Sequence, residues 1–244
     1  MHEDPKRPDV ELQRDYYKRT AQSYESMHSN EREHDVACAL IHALCEYHGF
    51  SSILDVGSGT GRGLRNLTKS LPNARVLGVE PVEALRAIGH ANGIPEKQLI
   101  DGDATRLGFP DSSFDLVCEL SVLHHIPNPR LALAEMIRVA NRGIFLSDVN
   151  RFGQGPLPGR YAKLFLWKLG LWPVADWIKN KGKRYINSEG DGVHYSYSIF
   201  DDYEYICSQC DNVMVFNFDG SGRNALTGAS HVGLFGMKKH ALGP

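Results

Sequence analysis

The chain has 244 residues, 42% hydrophobic and 23% charged, with a net charge of −2. That suits one sizeable soluble domain with a real core and gives no electrostatic reason to expect nucleic acid as a partner. Five cysteines without a framework fit reduced thiols in a cytoplasm, and the polar stretch Met1–Asp9 reads as neither signal peptide nor membrane anchor.

In chain order, residues 1–8 read as a frayed tail. Helical periodicity follows over 11–27 (Tyr16, Tyr17, Ala21, Tyr24) and over 31–47 (Val36, Ala37, Leu40, Ile41, Leu44), the second closed by Gly49. Strand 53–56 runs into a glycine turn and a helix over 62–70. Strand 76–80 precedes a helix opened by Pro81, and a short strand at 99–100 leads to the loop 101–104. Strand 114–118, helix 131–140 and strand 143–148 complete an alternation that predicts a doubly wound, mostly parallel α/β sheet covered on both faces. Beyond Val149 the rhythm changes. A Gly/Pro-rich loop over 151–160 gives way to an apolar helical stretch over 161–178, with Trp167, Trp172 and Trp177 and an interruption at Pro173. A basic loop (Lys179, Lys181, Lys183, Arg184) and a polar, aromatic loop over 187–200 follow. Helix 201–209, strand 213–218, a loose loop over 219–230 and strand 231–237 end the chain.

The stretch with most chemical content is Leu54-Asp55-Val56-Gly57-Ser58-Gly59-Thr60-Gly61. Its glycines are spaced G-x-G-x-G, and no Lys-Ser/Thr pair follows, so it is not a P-loop. Three acids stand just after strands: Asp55, Glu80 and Asp103. In an open α/β sheet they line one crevice at the carboxyl ends of the strands. Bare backbone at Gly57, Gly59 and Gly61 admits close approach of a ligand. Glu80, nineteen residues past Gly61, can accept from both hydroxyls of a ribose. Asp103 can accept from the exocyclic amine of adenine while the Ala104 amide donates to a ring nitrogen. A carboxylate ahead of the turn suits a cationic amino-acid moiety better than a pyrophosphate.

Together these residues resemble the class I S-adenosylmethionine-dependent methyltransferases, in the small-molecule, methyltransferase type 11-like branch. The resemblance continues through Val79-Glu80-Pro81, Gly102-Asp103-Ala104, the run 109–117, Leu123-His124-His125-Ile126 and the run 135–139, covering about residues 15–150. It implies a Rossmann-like seven-stranded mixed sheet with a C-terminal antiparallel hairpin. It also implies that residues 57–61, with Ser58, cradle the methionine part of S-adenosylmethionine, that Glu80 with Pro81 meets the ribose, and that Asp103 with Ala104 meets the adenine. Glu119 and Leu120 would lie near the sulfonium. Tyr17, Ala21 and Tyr24 match an N-terminal pattern whose helix caps the cofactor, where a tyrosine face favours a sulfonium. The product would be S-adenosylhomocysteine.

Methyl transfer from a sulfonium needs positioning above all, and a base only where the acceptor loses a proton. His124, His125 and His194 are the candidate bases, with Asp148 and Tyr195 behind them. No metal is expected: His34, Cys38, His42 and Cys45 fall on one helix, which cannot wrap an ion tetrahedrally. Cys207 and Cys210 read as buried thiols. Segment 161–178, too interrupted to span a bilayer, reads as a lid over a bulky apolar or aromatic substrate, with core packing or contact with a membrane surface as alternatives.

The expectation is one domain: cap helices over 1–48, a cofactor-binding core over 49–150, a substrate-covering insertion over 151–200, and a helix and hairpin over 201–244. It would methylate a small molecule, at oxygen before carbon or nitrogen. A non-catalytic S-adenosylmethionine-binding subunit is the rival of another class, and the glycine spacing disfavours a nicotinamide oxidoreductase.

Overall fold

The computed structural model describes residues 7–27, 31–218 and 224–239; residues 1–6 of the tail expected at 1–8 and part of the loop at 219–230 lie outside them, while Pro8, expected in that tail, opens the first helix. An N-terminal helix α1 (Pro8–Thr20), a short 3-10 turn and α2 (Tyr24–Met27) precede α3 (Arg32–His48), which ends on Gly49 at φ 65°. The core then alternates β1 (Ser52–Val56), α4 (Arg62–Ser70), β2 (Arg75–Val79), α5 (Glu83–Ala91), β3 (Leu99–Ile100), β4 (Phe114–Leu120), α6 (Pro129–Val139) and β5 (Ala140–Val149). After it come α7 (Leu157–Lys168), α8 (Trp172–Lys179), a small hairpin of β6 (Ile186–Ser188) and β7 (Gly192–His194), α9 (Tyr203–Gln209), β8 (Cys210–Asn217), α10 (Ala225–Gly228) and β9 (His231–Lys238).

The seven-stranded sheet has the order β3-β2-β1-β4-β5-β9-β8. Pairings from β3 to β5 are parallel, and β9 runs antiparallel to both β5 and β8. This is the expected mixed sheet with its C-terminal antiparallel pair. Both faces are covered, which is why the strands are apolar without alternation. On one face Ala37, Ile41 and Cys45 of α3 and Leu64 and Leu67 of α4 pack with Phe145 and Phe235. On the other, Leu133, Met136 and Ile137 of α6 and Ile206 of α9 pack with Val117, Ile144 and Leu234. The His/Cys face of α3 is part of this packing, as Cys38 and Cys45 are buried.

Two expectations are corrected here. The break in the apolar stretch falls at Gly170 (φ 70°), while Pro173 sits in the first turn of α8. A proline at that position starts a helix, because its missing N–H would have been unpaired anyway. The expected loop at 187–200 contains the β6–β7 hairpin, held against α1. Gln13 Oε1 accepts the Val193 amide, Tyr195 Oη donates to Asp9 Oδ2 at 2.9 Å, and Tyr16 Oη donates to the Glu189 carbonyl at 3.2 Å.

Candidate active site

In the β1–β2 and β1–β4 registers Val56 lies opposite Val79 and Glu119, so three parallel strands end at one level. The glycine turn closes over that edge. Gly57, Gly59 and Gly61 all have positive φ (75°, 56° and 78°), and the Gly57 and Ser58 amides donate to the Val79 carbonyl at 2.8 and 3.0 Å. A Cβ on Gly57 would sit 2.6 Å from both methyls of Val122, so this turn needs glycine for space as well as for φ.

Two cavities meet at this edge. The smaller, about 140 Å³, is bounded by Gly59, Glu80, Pro81, Asp103 and Ala104, with Gln13 and Arg14 of α1 above. The larger, about 350 Å³, is bounded by Asp55, Ser58, His34, Arg62, His124, Asp191 and His231. Tyr17, Tyr24, Gly57, Leu120, Ser121 and His125 border both, so the two form one bent crevice.

Acids dominate its electrostatics. Glu80 is buried; Oε2 accepts from the Gly59 amide at 3.0 Å and Oε1 from the Val82 amide at 2.8 Å. Each oxygen keeps a second lone pair for a ligand. Burial pushes its carboxyl up to about 7 despite those two amides. Burial likewise lifts Asp55 to about 6.

Deeper in the larger cavity, His124 Nδ1 lies 2.6 Å from Asp148 Oδ1. Burial works against the charged ring, but the Asp148 and Asp191 carboxylates outweigh it and raise His124 to about 10. His125 is lowered, by burial and then by the neighbouring His124 charge. Asp191, against the opposing effect of burial, is held well below the usual carboxylate range by the two neighbouring imidazoles. His34 is lowered to about 3 by burial and then by the Arg62 charge.

The family model for a methyltransferase domain matches residues 54–147. Phthiotriol/phenolphthiotriol dimycocerosates methyltransferase of Mycobacterium tuberculosis (strain ATCC 25618 / H37Rv) is 33% identical over 96 residues, 39% of this chain and 36% of that protein. Ajmaline N-methyltransferase of Rauvolfia serpentina is 32% identical over 107 residues, 41% of this chain and 37% of that protein. The match thus spans little more than a third of these relatives' length. The structure of 1,6-didemethyltoxoflavin-N1-methyltransferase from Burkholderia thailandensis, with 1,6-didemethyltoxoflavin and S-adenosylhomocysteine bound, superposes with a TM-score of 0.62. It covers 98% of this chain and 94% of that one, at 15% identity. Residues 54–147 thus resemble a methyltransferase domain in sequence, and the chain shares its fold with a solved methyltransferase.

Within this methyltransferase fold, Tyr17, Tyr24, Asp55, Gly57, Ser58, Gly59, Glu80, Pro81, Asp103, Ala104, Leu120, His124 and His125 all border the crevice. Three expected site residues do not. Gly61 faces inward, where a Cβ would strike Ile94 at 2.1 Å, so it serves packing beneath the turn. Glu119 is fully buried and spends its oxygens on the Val122 and Ser147 amides, both at 2.9 Å. Neighbouring residues of a strand point to opposite faces, so only Leu120 of this pair reaches the cavity. His194 lies beside Asp191, with its Nδ1 3.7 Å from Oδ2, and borders neither cavity. Tyr195 is turned to Asp9.

No residue of 161–178 borders either cavity; the hairpin residues Gly190 and Asp191 do. The crevice also contains residues that sequence patterns did not single out: Gln13, His231 and Ser121, the last at φ 64° between β4 and the His124 turn; Asp191 falls within the expected substrate-covering insertion 151–200. Ser121 and His231 carried a readable local cue, each being a polar residue at the end of a strand; Asp191 lies in a polar, glycine-rich loop, and Gln13 had no cue.

Proposed function

We propose that this protein transfers a methyl group from S-adenosylmethionine to a small-molecule acceptor, at an oxygen of a bulky apolar or aromatic metabolite. The observation that carries the reading is the bent crevice: a smaller chamber at Glu80 and Asp103 joined to a larger one at Asp55, His124 and Asp191 through Leu120, Ser121 and His125. In this reading the adenosine end occupies the smaller chamber, with Glu80 on the ribose hydroxyls and Asp103 with Ala104 on the adenine. The methionine end crosses the glycine turn toward Asp55, and Tyr17 and Tyr24 lie over the junction. The acceptor then enters from the His124 side. The relatives' names, dimycocerosates and ajmaline methyltransferases, agree with a small-molecule acceptor.

The reaction is an in-line displacement. An oxygen lone pair forms the new bond to the methyl carbon, the C–S bond breaks, and its electron pair stays on sulfur as a neutral thioether. Holding acceptor and sulfonium in line supplies most of the acceleration, up to roughly 7–11 kcal/mol in favourable cases. The histidines are not simple free bases. His124 has Asp148 on Nδ1 and Asp191 3.7 Å from Nε2, and His125 has the Val193 carbonyl on Nδ1 and Asp191 3.4 Å from Nε2. Calorimetric titration with S-adenosylhomocysteine tests the cofactor, and no binding would end the reading. A metabolite screen on cofactor-loaded protein, scored by methylated product, separates an enzyme from a non-catalytic binding subunit.

A further inference from the structure

Across the larger cavity from the glycine turn, three side chains from distant parts of the chain converge. His124 and His125 come from the 3-10 turn after β4, and Asp191 comes from the β6–β7 hairpin. One ligating atom of each lies within 4.8 Å of the other two. Asp191 Oδ1 is 3.4 Å from His125 Nε2, and Oδ2 is 3.7 Å from His124 Nε2. These separations are long for hydrogen bonds. They are near the roughly 3.3 Å that separates two ligands of one tetrahedral ion with bonds of about 2.0–2.1 Å.

The outward contacts of the two rings are those of metal ligands. His124 Nδ1 is fixed by Asp148 Oδ1 at 2.6 Å, and Asp148 Oδ2 also accepts the His124 amide at 3.2 Å. His125 Nδ1 reaches both the Val193 carbonyl at 2.8 Å and Gln13 Nε2 at 3.1 Å; the shorter contact assigns its proton to the carbonyl. A carboxylate or carbonyl on Nδ1 orients an imidazole and leaves Nε2 for an ion. A third ring nitrogen, His194 Nδ1, is buried, makes no hydrogen bond and lies 3.7 Å from Asp191 Oδ2.

We propose that His124 Nε2, His125 Nε2 and the Asp191 carboxylate bind one divalent first-row transition ion, with its open positions facing the methyl acceptor. Two imidazoles and one carboxylate are too rich in nitrogen for Mg²⁺ or Ca²⁺ and suit Zn²⁺, Co²⁺ or Fe²⁺. Three protein ligands leave room for an oxygen of the substrate. The ion takes the place of a proton between the rings and Asp191. For its acceptor the proposal rests on the methyltransferase reading; for the ion it does not. The ion binds the acceptor hydroxyl as a Lewis acid. The hydroxyl proton leaves to water, the oxygen bonds to the methyl carbon, and the sulfonium becomes a thioether. This gives the two Nε2 atoms and the Asp191 carboxylate a shared task.

The test uses the full chain, dialysed against chelator and titrated with Co²⁺ (visible absorption) and Zn²⁺ (calorimetry). One ion per chain is expected, with Asp148→Asn weakening it by about 10–100-fold as an outer partner should and Asp191→Asn weakening it at least as much. X-ray absorption on the Zn²⁺-loaded wild type checks the ligands without any variant and should show nitrogen and oxygen neighbours only. Absence of uptake, uptake indifferent to Asp191→Asn, or sulfur neighbours (an ion at His34 and Cys38) would overturn the site. S-adenosylhomocysteine is titrated in parallel. Cofactor binding without ion uptake removes the metal and leaves the methyltransferase reading. Ion uptake without cofactor binding does the reverse.

Discussion

Glu80 offers the sharpest test of how the crevice holds its cofactor. Its two oxygens each accept one backbone amide, from Gly59 and Val82, and each has one lone pair left over the smaller cavity. Two ribose hydroxyls would fill those positions as hydrogen bonds to a charged group, each contributing about 1.5–3 kcal/mol. Glu80→Ala should therefore weaken S-adenosylhomocysteine by at least about 3 kcal/mol, roughly 150-fold. Glu80→Gln, which keeps one oxygen and the shape but loses the charge, should fall between the two. The bare loss of affinity is ambiguous, because the Gly59 and Val82 amides also lose their partner and the turn can shift. A double-mutant cycle with 2′-deoxy-S-adenosylhomocysteine removes the ambiguity. The wild type should bind the deoxy analogue about 10–150-fold more weakly than the parent, while Glu80→Ala should distinguish the two little or not at all. An equal deoxy penalty in both proteins, measured by calorimetry, would show that Glu80 does not touch the ribose.

The same residue gives a pH signature. Burial raises the folded Glu80 carboxyl from 4.5 to about 7, so its contribution to the stability of the empty protein is greatest below about 4.5 and is lost as pH rises through about 7. Cofactor hydroxyls favour the ionised form, so S-adenosylhomocysteine affinity should rise between about pH 6 and 8. That rise should vanish in Glu80→Gln, and a flat wild-type profile would contradict it. Gly57→Ala places a methyl 2.6 Å from Val122 at φ 75° and should cost about 1–3 kcal/mol in a urea melt. Val122→Ala in the same chain should recover part of it, and full tolerance of Gly57→Ala would mean that the turn is looser than drawn. Phe165 on α7 is 63% exposed, so Phe165→Ser should change stability by less than about 0.5 kcal/mol. A larger loss, read from the same melt, would show that this face is covered in solution.

What was legible in the sequence, and what was not, follows from how far each signal travels along the chain. Asp55, Glu80 and Asp103 could be read because each stands just past a strand, and parallel strands deliver their carboxyl ends to one edge wherever they fall in sequence. The glycine spacing is equally local, although only the folded turn separates Gly59, which opens to the ligand side, from Gly61, which is pressed on Ile94. Of the expected pair Glu119 and Leu120, only Leu120 takes the crevice side of β4, because neighbouring residues of a strand point to opposite faces. The apolar stretch 161–178 was drawn toward the substrate by composition. In the fold Leu157, Tyr161, Phe165, Leu169, Val174 and Ile178 are all exposed, and none lies on the crevice.

The hairpin that does reach the crevice carries its signal far from its own sequence. Gly192 adopts φ 65° because a Cβ there would lie 2.4 Å from Gln13 Oε1 and 2.6 Å from the Tyr16 ring. Its requirement is thus written on α1, about 180 residues earlier in the chain. Asp191 is placed by that packing, and it in turn faces His124 and His125 from a third part of the chain. Gly190-Asp191-Gly192 reads locally as a flexible polar loop with no stated partner. It becomes a carboxylate in a site when α1, the β4 turn and the hairpin fold against one another. It follows that Gly192→Ala, which leaves every side chain facing the larger cavity unchanged, should displace Asp191 and weaken ion uptake while sparing S-adenosylhomocysteine binding at Glu80. Loss of both together would instead mean that the hairpin and α1 hold the cofactor chamber shut as one unit.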